Sequence, residues 1–557
     1  MDREEGGEIT KNIGLGMPAG NRLRRSRRLA PGVIGVCLVV ILASALALVL
    51  VPGARASATP FNSSVVKVPC GGNIQNAINA AHSGATISLA PCTYVQQLSI
   101  DRSINIVGAG AGKTIIQSPA NLAPDAYGNP WTIELGHAAT VTLSGFTLLM
   151  TLQCIVSSPY AIDSLQPGYA GGGIGVGGSS YLNLESAVVT TTGAPQGASC
   201  GANGFLSFGT GVAFGLDYVT GTPAASQLIG FGTVSGVTIT GFGFGGPGIA
   251  VGGTANSPAG SYATISHDYI VTLGITGPLV TFVEILPFGI TVGLGENTSS
   301  AVIVDNVMTG VAGTSSFPIM EAFAGSHAYI AGNSLTATGW ANGISVEVSS
   351  TATITDNSIF IGNSAGGAAW GEAWGIFVYE AQATITYNSI SGPSLDGVGI
   401  YLWSSSATIE HNVFSQFTCE ANPALGAPFG GTCGPSWATQ YAGYGVYDES
   451  DAGLGTVITN NVFVDNDVGV LFWMGCPACT VENNVFVGNL DYGLVGMDGS
   501  YSFGPNLVIG GLYAVGAIAY TADTSVTLSH VVTVGQSVGP FYYEVDFSGG
   551  TATVVGT

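Results

Sequence analysis

From residue 343 onward a short pattern returns along the chain: glycine, an aliphatic residue, any residue, then a second aliphatic residue. It stands at Gly343 (GISVE), Gly375 (GIFVY), Gly399 (GIYLW), Gly445 (GVYDE), Gly469 (GVLFW) and Gly493 (GLVGM). Most copies are followed by a second short run ending in asparagine, at Asn357, Asn388, Asn412, Asn461 and Asn484. The interval is 24 residues from Gly375 to Gly399, and again from Gly445 to Gly469 to Gly493, while longer gaps carry insertions. A unit this small cannot bury its apolar side alone, so it must stack on copies of itself.

The runs inside each unit are four to six residues long and alternate, which suits strands and is too short for helices. Stacked as parallel strands about 4.8 Å apart, their inward Ile and Val side chains form one continuous core. Asparagine recurring at one turn becomes a ladder of amide hydrogen bonds. Weaker coils begin at Gly173, Gly211, Gly248 and Gly289. Composition agrees: 85 glycines, 46% hydrophobic and only 8% charged residues describe a long core with small-residue turns rather than a solvated disordered chain.

At this point the chain resembles the right-handed parallel β-helix, or pectin-lyase-like, superfamily over residues 70–557. The opening segment is similar to that superfamily's as well: NIQNAINAAHSG (Asn73–Gly84), ATISLAPCTY and LSIDRSINIVGAGAG read as a short amphipathic helix, a glycine turn and apolar strands. Ile74, Ala77, Ile78 and Ala81 share one helical face and would cover the first open coil. The expected architecture is therefore all-β, a right-handed parallel β-helix solenoid with a short N-terminal capping helix, preceded by a transmembrane or signal segment. Such a fold implies no particular activity.

The segments before it are a basic cytoplasmic stretch (1–30), an apolar run acting as signal peptide or transmembrane anchor (31–52) and a linker (53–69). Eight of the 11 Lys and Arg fall in the first 56 residues, and Val33 to Val51 are 19 uncharged, mostly apolar residues. The basic end stays on the cytoplasmic side. Ala54, Ala56 and Ala58 offer cleavage sites, and the run is also long enough to remain as an anchor. Beyond residue 56 only Lys67, Arg102 and Lys113 face 29 carboxylates. A polyanion is repelled by such a surface, which argues against nucleic acid as partner.

Of nine cysteines, Cys37 lies in the apolar run, and the other eight are an even number suited to an oxidising exterior. Because each coil touches only its neighbours, the expected pairs are Cys70 with Cys92, Cys154 with Cys200, Cys419 with Cys433, and Cys476 with Cys479. The Cys476-Pro-Ala-Cys479 run has no second pair for zinc, so it reads as a small disulfide loop.

Alternation turns the third and fifth positions of each Gly-led strand outward. The later coils place Phe377, Tyr401 and Tyr447 at the third and Glu347, Tyr379, Trp403, Glu449 and Trp473 at the fifth, whereas the fifth position of the earlier coils is glycine. Sugar rings stack on exposed aromatic rings while their hydroxyls bond to carboxylates. The column Phe377, Tyr379, Tyr401, Trp403, Tyr447, Glu449 and Trp473 is therefore a candidate surface for polysaccharide or cell-surface glycan. The bland alternative is aromatic laddering for sheet stability.

A second candidate is the acidic group Asp448, Glu449 and Asp451, near Asp465 and Asp467. Asp448 occupies a position that calls for an inward aliphatic residue, and a desolvated carboxylate paired with Glu449 or Asp451 could hydrolyse a glycosidic bond. A register shift or an acidic loop, with Ca²⁺ as its conceivable ligand, is the plainer reading. The resemblance adds a negative test: the superfamily's pectate lyases and pectin methylesterases use a basic residue, and no Lys or Arg follows Lys113. The expectation is a secreted or surface β-helix, held at the membrane through its N-terminus if that segment is retained, that binds glycan without a cofactor. A carboxylate-dependent glycoside hydrolase and a purely structural envelope or adhesion protein are the alternatives.

Overall fold

The computed structural model describes residues 64–556 except 126–128, 152, 157–171, 192–203, 208–209, 217–224, 243–246, 253–259, 274–288, 294–297, 363–372, 393–396, 419–442, 450–453, 474, 520–522 and 546–550. The basic N-terminus, the apolar run and most of the linker lie outside the described residues. Among the described residues no helix is long and apolar enough to cross a membrane.

The described chain is a right-handed parallel β-helix whose cross-section has three faces. One coil runs through Thr351–Thr355, Ser358–Ile361 and Ala373–Tyr379, and the next through Gln382–Thr386, Ser389–Ser391 and Gly397–Trp403. The strands of these two coils pair in parallel without slip: Ile354 opposite Ile385, Ile359 opposite Ile390, Ile376 opposite Ile400. Alternate residues therefore fall on one line, and the inward lines of Ile, Val, Leu and Phe form a single buried core from Val68 to Leu528. One antiparallel pair, Gln153–Val156 with Gly204–Ser207, departs from this pattern.

At the N-terminal end the helix Ile74–Ala80 is capped by Asn73, whose Oδ1 accepts from the Asn76 N–H at 2.7 Å. It buries Ile74 and Ile78 completely against the first coil, with Ala81 beside them. The Cys70–Cys92 disulfide closes that end.

The asparagine ladder joins the first face to the second. From Asn306 through Asn333, Asn357, Asn388, Asn412, Asn461 and Asn484 to Asn506, each backbone N–H donates to the Oδ1 of the next asparagine, at 2.8–3.0 Å. Each Nδ2 within the ladder also donates to a strand carbonyl of the preceding coil, as Asn412 does to Ile385 at 2.8 Å. The residue before the asparagine turns the corner with positive φ: Asp305 (55°), Asp356 (55°), Tyr387 (57°), His411 (59°) and Asn460 (57°). The side chains there vary because only the backbone matters, and glycine takes the position once, at Gly332.

Asp268 stands at the ladder's first rung. It accepts from the Val237 N–H at 2.7 Å and its own N–H donates to Asn306 Oδ1. Its Oδ2 is buried without a hydrogen-bond partner, and burial pushes its pKa up to about 7. A protonated carboxyl imitates the amide it replaces. Asn412→Ala is expected to strip several buried partners at once, costing roughly 2–4 kcal/mol. The check is a lower thermal midpoint with faster amide exchange in the flanking coils; an unchanged melt would show that the ladder contributes little.

Candidate functional site

The third face, built by the last residues of Ser334–Glu347 and by Ala373–Tyr379, Gly397–Trp403, Tyr444–Glu449 and Val468–Phe472, carries the aromatic residues. Register arranges them in outward columns. One runs Glu321, Ser345, Phe377, Tyr401, Tyr447, Leu471; another runs Glu347, Tyr379, Trp403, Glu449. Trp374 and Tyr444 lie on a third.

The rings divide into two groups. Tyr401 and Tyr447 stack at 5.0 Å with an interplanar angle of 8°, Phe377 lies 5.4 Å from Tyr401, and Trp374 stacks on Phe377 at 4.5 Å. These rings spend their faces on one another, and Tyr401 is only 6% exposed. The Tyr401 hydroxyl donates to Glu449 Oε2 at 2.5 Å. Trp403, in contrast, is 46% exposed and meets half-buried Tyr379 edge to face at 5.7 Å. Tyr379 is hydrogen-bonded to Glu380, which pushes its phenol pKa up.

Trp473 differs again. It packs with Tyr444 and Tyr447 against a second buried cluster of Val468, Leu471, Tyr492, Val495, Met497 and Ile518. Several of those are outward positions by register, so the aromatic surface ends there beneath packed side chains. It is bounded on the other side too: Ala250 and Thr291, which precede Glu321 in its column, are buried, and Trp131 lies against Gly175, where a Cβ would come within 2.5 Å of its ring. Three of the four glycines at the fifth position of the earlier coils turn the chain rather than present a bare strand surface. Gly215, Gly252 and Gly293 have φ of 108°, 107° and 78°, ending the strand one residue sooner.

Of the acidic group, the described residues Asp448 and Glu449 point to opposite sides of their strand. Asp448 points inward, 1% exposed, between Leu402 and Phe472 of the adjacent coils, while Glu449 points outward. Asp467 sits in a turn, accepting from the Gly443 N–H at 2.9 Å, and Asp465 is a positive-φ corner residue. Asp451 lies outside the described residues. Cys476 and Cys479 form a disulfide, and the partners Cys200, Cys419 and Cys433 and the side chain of Cys154 are not among those described.

A different carboxylate pair does come together. Glu321 and Glu347 occupy adjacent coils at the edge of the aromatic columns, Glu321 opposite Ser345 and Glu347 hydrogen-bonded to the Ser345 hydroxyl. Among the described residues Glu321 Oε2 is enclosed without a partner. Burial and then the Glu347 charge push Glu321 well above the usual carboxylate range, and burial raises Glu347. Sequence reasoning missed Glu321 because its coil starts with Ile319, opposite Gly289, instead of glycine. The signal was the spacing: Glu321 precedes Ser345 by one 24-residue unit.

Two family models match. One, described as right handed beta helix region, matches residues 374–508, and one described as periplasmic copper-binding protein (NosD) matches 235–424. The first of these agrees with the right-handed parallel β-helix fold of the described residues. No curated protein matches the chain. Among solved structures it is similar to the mannuronan C-5 epimerase A-module of Azotobacter vinelandii, at 12% identity over 87% of this chain and 94% of that one, with a TM-score of 0.25. The catalytic unit of an α-1,3-glucanase from Streptomyces thermodiastaticus matches at 13% identity over 86% of this chain and 65% of that one, TM-score 0.27. A lacto-N-biosidase from Eubacterium ramulus matches at 12% over 86% and 68%, TM-score 0.30.

Copper does not fit the described residues of the 235–424 match. His267 faces Asp305 at 3.7 Å, His327 bonds Thr351 and His411 stacks on Tyr387, so the three imidazoles have separate neighbours. Among the described residues no three His, Cys, Asp or Glu donors converge there.

Buried carboxylates give the fold an acid-favouring balance. Burial pushes Glu134 and Asp268 up to about 7 and Asp491 up to about 6, and raises Glu321 and Glu347 as well. Their unfolded values lie near 4. Between about pH 4 and 7 the folded chain thus binds more protons than the unfolded one, so stability is greatest at the acid end and falls as pH rises through that window. Exposed Asp101, hydrogen-bonded to Arg102, is shifted the other way, downward. Thermal melts should therefore give a higher midpoint at pH 4.5 than at pH 7.5, with β-structure kept near pH 3. A midpoint falling by tens of degrees on acidification would contradict this.

Proposed function

We propose that this chain is an exported or cell-surface β-helix that binds a carbohydrate polymer along its third face. The observation carrying this reading is the exposure of Trp403 beside Tyr379, flanked in the same column by Glu347 and Glu449. An exposed indole in that position offers a stacking platform for a sugar ring, and the carboxylates accept from its hydroxyls. Phe377, Tyr401 and Tyr447 form the rigid floor under these two residues. The double variant Trp403→Ala, Tyr379→Ala should lose retention on a responsive polysaccharide by about tenfold or more while its melt stays unchanged. Trp473→Ala should do the reverse, lowering the melt more than retention. Undiminished retention by a folded double variant would remove the binding reading.

The Glu321–Glu347 pair favours a second reading, hydrolysis of the bound chain. A carboxyl group whose hold on its proton is strengthened by burial, beside a second carboxylate, is what general-acid cleavage of a glycosidic bond requires. If a polysaccharide panel yields reducing ends, Glu321→Gln and Glu347→Gln should each cut the rate by about 100-fold or more, and Glu321→Gln, which lies outside the binding column, should leave retention intact. The wild-type rate should fall as pH rises and the acid loses its proton. Full activity in both variants would exclude the pair.

A further inference from the structure

The inward position of the third face is occupied by Val346, Val378, Leu402 and Phe472 in successive coils, and by Asp448 between the last two. A carboxylate among these neighbours is costly to keep desolvated. Its placement is not arbitrary: Oδ2 lies 3.9 Å from Cys479 Sγ, and donor atoms of Asp448, Cys476 and Cys479 all fall within 4.8 Å of one another.

The two sulfurs differ in access. Cys476 is 3% exposed, while Cys479 is half-buried and follows the exposed Pro477 and Ala478. The loop is a tight turn in which the Cys479 N–H donates to the Cys476 carbonyl at 3.1 Å. Close by, the Tyr501 hydroxyl accepts from the Gly475 N–H, and burial raises its pKa; Asp498 is the other ionisable group near Tyr501.

We infer that Cys476 and Cys479 are a thiol–disulfide exchange site for disulfide-bearing polypeptides, with Cys479 as nucleophile, Asp448 as its proton acceptor and Cys476 as resolving thiol. In the reduced form Asp448 takes the Cys479 proton. The Cys479 thiolate attacks one sulfur of the substrate disulfide, forming a mixed disulfide and expelling a substrate thiolate, which receives that proton. Cys476, giving up its own proton, then attacks the Cys479 sulfur, closes the Cys476–Cys479 bond and expels the second substrate thiol. Two electrons pass from the dithiol to the substrate disulfide, and the reverse sequence oxidises a substrate dithiol. A carboxylate within reach of the thiol acts as a general base, taking the Cys479 proton as the sulfur attacks.

The test uses the purified full chain in glutathione buffers at pH 7, with thiols trapped by alkylation and located by mass spectrometry. The native chain should show reversible reduction of Cys476–Cys479. The Cys476→Ser variant should accumulate a glutathione adduct on Cys479, and in the reduced Asp448→Asn chain alkylation of Cys479 should slow by about tenfold with the circular dichroism unchanged. Reduction of an added protein disulfide, insulin, should slow in the same variant. A Cys476–Cys479 bond that opens only on unfolding, or a folded Cys476→Ser chain that forms no adduct, would overturn the assignment. So would one equivalent of Zn²⁺ held by the reduced chain and shielding both thiols, since that outcome makes the three donors a metal centre instead.

Discussion

The in-register stacking of one coil on the next is the constraint from which everything else in this molecule follows, and the buried asparagine ladder is what fixes that register at a corner. Backbone groups in a turn cannot join the sheet hydrogen bonds on either side, so inside a protein they must find partners elsewhere. Here the side-chain amide of one coil accepts from the turn N–H of the preceding coil, then donates to that coil's strand carbonyl. A slip of one residue would break this pattern and turn every inward Ile outward. The corner residue before each asparagine is thereby freed from side-chain requirements, which is why Asp, Tyr, His, Asn and Gly can all occupy it.

Register also makes any outward feature one-dimensional. A side chain on this surface has neighbours about 4.8 Å above and below it, so chemistry can accumulate only along columns. That geometry lets aromatic rings pack on one another from Phe377 to Tyr447, and it lets a carboxylate on one coil raise the proton affinity of another on the adjacent coil, as Glu347 does for Glu321. The same geometry limits what a column can offer to a ligand. Rings in a continuous stack present their edges, and a stacking partner needs a face, so only a residue at the margin such as Trp403 remains open.

The fold was legible because its signals are local and repeated: the Gly-aliphatic start, the terminal Asn and the alternation between them each recur at coil spacing. Strand direction and inward or outward sense followed from alternation alone, including the inward sense of Asp448. The site was less legible for two physical reasons. Alternation distinguishes inward from outward but says nothing about what lies over an outward position, so Trp403 and Trp473 looked equivalent although one is open and the other packed. Recognition of a coil by its first glycine also passed over the coil at Ile319, and with it Glu321.

The Asp448 neighbourhood shows a third limit. In the sequence Asp448 stands beside Glu449 and Asp451, and 28 residues before Cys476, so adjacency suggested an acidic group. In a β-strand, adjacent residues face opposite ways, and the relevant neighbours of an inward side chain come from the coils above and below it. For Asp448 those are Leu402, Phe472 and the disulfide that closes the turn after Phe472. Asp448 and Glu449 therefore belong to different chemistries although they are bonded to each other: one is coupled to sulfur inside the coil, the other to the aromatic face outside it. A stacked coil can in this way place two unrelated sites back to back across a single strand, because its thin wall is the only thing that separates core from surface.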